Sequence, residues 1–166
     1  MTPEAAQEIL QFLLPQLQEE SATTRKLLAA VPAENCDYKP SDLCMTGLAL
    51  ASHIALSEVF FLRGVLNGAF EWKAIDFQTP TEALAFYDEH VISMIAGVGA
   101  LPGEKLAQPV TFAIWTEPAV AFLNIGLKHT IHHRGQLSSY LRPMGAKVPS
   151  IYGPSADEPR QAAASS

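Results

Sequence analysis

The sequence predicts an all-α protein built as a four-helix bundle, and three kinds of observation predict it. Capping residues stand just ahead of apolar stretches, apolar side chains recur at helical spacing, and loops bearing proline or glycine separate the stretches. A length of 166 residues fits one domain with a real core. With 48% hydrophobic and 17% charged residues the chain reads as globular rather than disordered.

The first helix opens with Thr2 as its cap and Pro3 at the first helical position. Its stripe is Leu10, Leu13, Leu14, Leu17, Thr24, Leu27, Leu28 and Val31. Pro15 lies inside that stripe and predicts a kink or a break, because proline has no N–H to donate and crowds the carbonyl four residues back. A loop over residues 32–45 holds Pro32 and Pro40. The second helix starts at Thr46, where Met45 and Leu50 form a hydrophobic staple, and runs to about Asn67 with Gly68 as its stop. Thr79 and Glu82 form a capping box for the third helix, with Pro80 in the first turn. Its stripe is Leu84, Tyr87, Val91, Met94, Ile95 and Val98, closed by Gly99 and Pro102. Residues 103–116 read as irregular, with a short strand available between Leu106 and Phe112. Thr116 or Glu117 caps the fourth helix, Pro118 to about Leu141. The bundle domain is expected to span residues 1–152, and residues 153–166 to form a small, polar, flexible tail.

A formal net charge of −6 and a pI of about 5.3, with no cluster of basic residues, exclude nucleic acid as an expected partner. Cys36 and Cys44 are too far apart for a Cys-x-x-Cys redox pair or a zinc ribbon and read as reduced thiols. No uninterrupted apolar run has the length of a membrane span, and the N-terminus lacks the pattern of a signal peptide. The expected location is cytoplasmic, without a membrane partner.

The chemistry concentrates in Lys128-His129-Thr130-Ile131-His132-His133-Arg134-Gly135-Gln136. Residues four apart share a helix face, so His129 and His133 can grip one ion. Imidazole suits zinc, nickel, copper and iron. Two ligands rarely hold a metal tightly, and His53 is the third: it lies in an apolar segment of the second helix, where an unpartnered imidazole is costly to bury. His132 points about 100° away from His133. It reads as a surface residue, as does His90 on the third helix. At a rise of about 1.5 Å per residue, His53 lies roughly 10 Å from the start of its helix, and the His129/His133 pair roughly 15 Å from the end of its own. Those heights match best if the second and fourth helices run antiparallel, which calls for one crossover connection. The 11 residues from Gly68 to Gln78 are the candidate.

An early histidine in the second helix followed by His-x-x-x-His-Arg-Gly-Gln in the fourth resembles the DinB/YfiT-like superfamily of metal-binding four-helix bundles. Here these are His53, His129, His133, Arg134, Gly135 and Gln136; the Thr46-Gly47-Leu48-Ala49-Leu50 entry is similar as well, over roughly residues 5–145. The resemblance implies an up-down-down-up bundle with its crossover between helices two and three. It also implies one divalent transition metal, zinc or nickel, on His53, His129 and His133, and frequently a homodimer. Relatives of that fold include thiol S-transferases and a thiol-dependent isomerase, so it further implies a metal that activates a low-molecular-weight thiol cosubstrate.

Two other functions compete. A hydrolase that activates water at the metal needs a carboxylate base, and no Glu stands at helical spacing from the three histidines. A non-catalytic metal- or ligand-binding stress protein needs the same ligands as an enzyme. Glu58, about 140° round the helix from His53, is a poor fourth ligand. Gln136 borders the face of His133 and is a candidate to orient it. Arg134 fits ligand orientation, substrate contact, packing or dimer contact. Gly126 either opens space above the metal or permits close helix packing.

Overall fold

The computed structural model describes residues 1–158. Four long helices, α1 (Pro3–Ala29), α2 (Gly47–Asn67), α3 (Pro80–Gly99) and α5 (Ala119–Leu141), are joined by a short helix α4 (Gly103–Ala107) and a hairpin of β1 (Pro109–Phe112) and β2 (Trp115–Pro118). Thr2, Thr46 and Thr79 each cap a helix by accepting a hydrogen bond from the N–H three residues on. Gly68 ends α2 at φ +67°, in the left-handed region glycine reaches without strain.

Three expectations are corrected. The first helix does not break at Pro15. The proline sits on the exposed face, and α1 runs through it without interruption. Glu82 does not close a capping box on Thr79: its carboxylate accepts from the Gln78 N–H at 2.8 Å, one residue earlier. Finally, Thr116 and Glu117 do not cap the last helix, because both belong to β2. Pairing of Val110 with Glu117 and Thr111 with Thr116 satisfies their backbone groups, and α5 begins after Pro118 without a side-chain cap. The irregular stretch therefore holds α4 and an antiparallel hairpin, with Ala113 at φ 54° in its turn.

Each long helix packs against two others: α1 with α3 and α5, and α2 with α3 and α5. The core is the shared interior of that ring, with Leu10, Leu27, Ile54, Val91, Phe122 and Leu137 all at most 1% exposed. Burial of such side chains stabilises by about 1.5–3 kcal/mol each. Helix α2 is long and apolar enough by composition to cross a membrane, but 67% of that window is buried inside the bundle. It is the core helix, which explains its composition.

Contact between α2 and α5 is unusually close at one point. A Cβ on Gly126 would lie 2.7 Å from Cβ of Phe61, so the glycine serves close helix packing. The clashing atom is fixed to the α2 backbone and cannot swing aside. Gly126→Ala is therefore expected to lose about 1–3 kcal/mol by overpacking. A surface helix position gains up to about 1 kcal/mol from the same change. Denaturant unfolding of the variant checks the sign, and a gain in stability would contradict the close approach.

Candidate metal centre

His53 comes from the second turn of α2, and His129 and His133 from successive turns of α5. All three are half-buried, and one ring nitrogen from each lies within 4.8 Å of the others. Nε2 of His53 and Nε2 of His129 are 3.2 Å apart. Two nitrogens bound at 2.0–2.1 Å in a tetrahedral zinc site stand about 3.3 Å apart. Two imidazole lone pairs repel at this distance unless a proton or a cation sits between them.

Neighbouring side chains stand against two of the three rings. Nδ1–H of His133 donates to Gln136 Oε1 at 3.1 Å, which leaves its Nε2 as a lone pair for a ligand bond. Gln136 is steadied in turn, its amide donating to Tyr140 Oη at 3.3 Å. Ser57 Oγ, one turn beyond His53, stands 3.4 Å from its Nδ1. Nδ1 of His129 is buried without a partner among the described residues. Burial lowers the pKa of His53, and the charge of nearby His133 adds to the effect. Burial, then His133 and His53, takes His129 down to about 4. Both rings are thus neutral at neutral pH, the form that ligates. The donor set fits one divalent transition ion of the imidazole-binding kind.

His53 opens onto a groove of about 460 Å³, lined by Thr46, Ser52 and Leu56 on the α2 side and by Trp72, Asp76 and Phe77 of the connection between α2 and α3. No lysine or arginine among the described residues lines it. Ring edges of Phe61 approach His129, with centroids 5.7 Å apart.

The sequence model of the DinB family matches residues 6–163. The chain belongs to the DinB family. Among curated proteins it is similar to the uncharacterized protein YrdA of Bacillus subtilis, 26% identical over 155 residues, spanning 91% of this chain and 92% of that one. It is also similar to YjoA of the same organism, 27% identical over 129 residues, spanning 74% and 82%. A crystal structure of a DinB-like protein from Bacillus cereus aligns with a TM-score of 0.72 at 21% identity, covering 84% of this chain and 95% of that one. That of B. subtilis YjoA aligns at 0.67 and 22%, covering 80% and 91%. These structures share the fold.

In this DinB-family chain the structure brings together all three histidines singled out from sequence. His132 is exposed beside them, its ring centroid 4.8 Å from that of His133. His90 is not a plain surface residue: it is half-buried and stacked on Phe86 at 4.4 Å. Arg134 proves to be a packing residue. It is 1% exposed and forms an ion pair with Glu20, while Nη1 donates to the Glu20 carbonyl at 3.0 Å and to Thr24 Oγ1 at 3.3 Å. The hydroxyl of Tyr152 joins the same ion pair. This clamp ties α5 to α1 one residue beyond His133. The expected tail begins just after Tyr152. Within it Asp157 accepts from Arg142 and from the Val148 N–H, at 2.9 and 3.0 Å. Residues 159–166 lie outside the described residues.

Sequence reasoning missed the role of Glu58. It is buried, with Oε2 lacking a partner among the described residues, as does Oγ1 of neighbouring Thr130. Burial pushes its carboxyl up to about 7, and the Tyr87 hydroxyl and the Arg134 charge only moderate the shift. The signal was present in the chain: a carboxylate inside the apolar run Ile54 to Leu62 needs a reason to be there. A carboxyl that binds its proton more tightly when folded favours the fold below its unfolded pKa, and this contribution is lost as pH rises through about 7. His129 acts in the opposite sense: its contribution is full above the unfolded imidazole value and is lost as pH falls toward about 4. Glu58→Gln mimics the protonated form. Its melting temperature relative to the parent is expected to rise from pH 5 to about 7 in metal-free protein and to level off above that, as thermal melts between pH 5 and 8 will show. A flat difference would place the Glu58 titration elsewhere.

Proposed function

We propose that this protein holds one divalent transition metal, zinc or nickel, on His53, His129 and His133 and uses it to activate a small-molecule thiol. The observation that carries the reading is the convergence of three imidazoles beside an open groove, with two Nε2 atoms facing each other at 3.2 Å. Three protein ligands leave a position open, as catalytic sites do and closed structural sites do not. A divalent ion there favours the deprotonated, nucleophilic form of a thiol brought to it.

The chain's own residues do the rest. Gln136 holds the ring of His133 in the ligating tautomer, and Ser57 lies against the Nδ1 side of the His53 ring. The Arg134–Glu20 pair fixes the height of α5 against α1. Trp72, Asp76 and Phe77 wall the groove on the side away from α2. In an S-transfer the thiol sulfur forms a bond to an electrophilic carbon, the leaving group departs with its electron pair, and the thiol proton passes to solvent. The groove offers Thr46, Ser52 and Asp76 as polar contacts. It therefore suits a neutral or amine-bearing thiol better than one that relies on several carboxylates. A non-catalytic ligand-binding role uses the same donors and is the alternative that the thiol experiment separates.

We read the bundle as up-down-down-up. Support comes from pairs along the helices: Arg25 with Asp88 and Leu14 against Gly99 set α1 and α3 in opposite directions. His53 with His129 and Phe61 against Gly126 do the same for α2 and α5. Phe60 and Arg63 facing Phe86 and His90, with Leu66 against Gly97, set α2 and α3 in the same direction. A homodimer and a cytoplasmic setting complete the proposal.

The test uses cobalt(II) as a spectroscopic substitute. The cobalt-loaded protein is expected to show a saturable sulfur-to-metal charge-transfer absorption on titration with 2-mercaptoethanol or cysteamine. Absence of that band, with cobalt bound, would leave a metal-binding protein without thiol chemistry. A further expectation concerns the outer contacts: Gln136→Ala should weaken zinc binding about 10–100-fold in a competitive chelator titration. An unchanged affinity would remove Gln136 from the site.

A further inference from the structure

A second concave site lies on the same side of α2, one step further along the helix. Val59, Phe60 and Arg63 of α2 face Phe86 and His90 of α3, and the crossover connection covers them. The cavity measures about 160 Å³. Phe60, Trp72 and Phe86 give it aromatic walls, and Arg63 and Lys73 carry its cationic nitrogen donors.

Arg63 is the feature that calls for an occupant. The chain carries a net charge of −6, and its other described arginines are committed: Arg25 to Asp88, Arg134 to Glu20, and Arg142 to Asp157. Half-buried Arg63 has no carboxylate within ion-pairing distance among the described residues, even though Glu71 lines the same cavity. Glu71 lies instead 3.9 Å from Lys73. A guanidinium is a planar fork of donors matched to a carboxylate, and leaving it partly desolvated without one is unfavourable. His90 presents a second polar group. Its Nδ1–H donates to the Phe86 carbonyl at 2.9 Å, and its Nε2 makes no hydrogen bond among the described residues.

We propose that this cavity binds a small organic carboxylate with a flat, apolar body. The carboxylate pairs with Arg63, and the body packs on Phe60, Trp72 and Phe86, where aromatic contacts add to the burial. The cavity shares Leu56, Trp72 and Ile75 with the groove over His53, so its ligand lies next to the groove rather than on a remote surface. Its residues are separate from the histidine ligands, and the inference stands whether or not a metal binds there.

Titration calorimetry on chelator-treated, metal-free protein tests it, with 3-phenylpropionate as the probe and 3-phenylpropionamide as its uncharged twin. The acid is expected to bind one per chain with a Kd of about 0.1–1 mM. The amide should bind about tenfold more weakly or worse, since hydrogen bonds to charged groups are the strong ones. Arg63→Gln should weaken the acid by a similar factor and leave the amide unchanged. Its melting temperature should stay at the parent's value, because Arg63 holds no ion pair in the fold. The acid/amide comparison on the parent chain needs no variant to fold. Equal binding of acid and amide, an undiminished acid affinity in R63Q, or no saturable heat up to about 10 mM acid would each overturn the proposal.

Discussion

The close approach of α2 and α5 is the constraint on which the histidine site depends. Gly126 lets Phe61 sit against the α5 backbone, and the two helices cannot slide past one another at that point without a clash. Once that contact is set, His53 on α2 and His129 and His133 on α5 fall at the same height. The Arg134–Glu20 pair supplies the second fixed point, tying α5 to α1. A buried pair of this kind contributes little net stability, yet removing one partner typically costs about 3–5 kcal/mol by stranding the other. Its value here is register: it fixes the neighbour of His133.

Those two fixed points act together with the outer contacts of the rings. Gln136 belongs to the same turn as His133, and Ser57 to the turn after His53, so both partners arise from the helices that supply the ligands. The site is therefore positioned by regular structure on one side only. Its other wall is the connection between α2 and α3, which carries Trp72 and Asp76 over α2 and lies between the histidine groove and the Arg63 cavity. The same connection walls the groove, while the helices alone set the spacing of the three imidazoles.

Much of this was legible in the sequence, for physical reasons that differ by element. Thr46, Gly68, Thr79 and Pro80 act through local backbone chemistry, so the ends of α2 and the start of α3 could be read from a few residues. The His129/His133 spacing is likewise local, and His53 stood out as a polar group in an apolar helix. The hairpin at Pro109–Phe112 and Trp115–Pro118 was harder, because Thr116 and Glu117 look like a helix cap and only pairing with Val110 and Thr111 makes them a strand. Pro15 misled in the other direction: a proline on the exposed face of a long packed helix is tolerated where tertiary burial on the opposite face holds the helix. Arg134 depends on a partner from another helix, Glu20, 114 positions away, and Glu58 on burial by neighbouring helices. No local pattern names such surroundings, although an ionisable residue on an apolar face does signal that something there must account for it.

The central claim is that the three imidazoles hold one ion, and metal content measures it most directly. Tag-free protein purified without added nickel, analysed by elemental analysis beside a His129→Ala variant, is predicted to carry one transition metal per chain, with the metal lost in the variant. A metal-free parent that also fails to take up zinc or nickel on reconstitution would contradict the account.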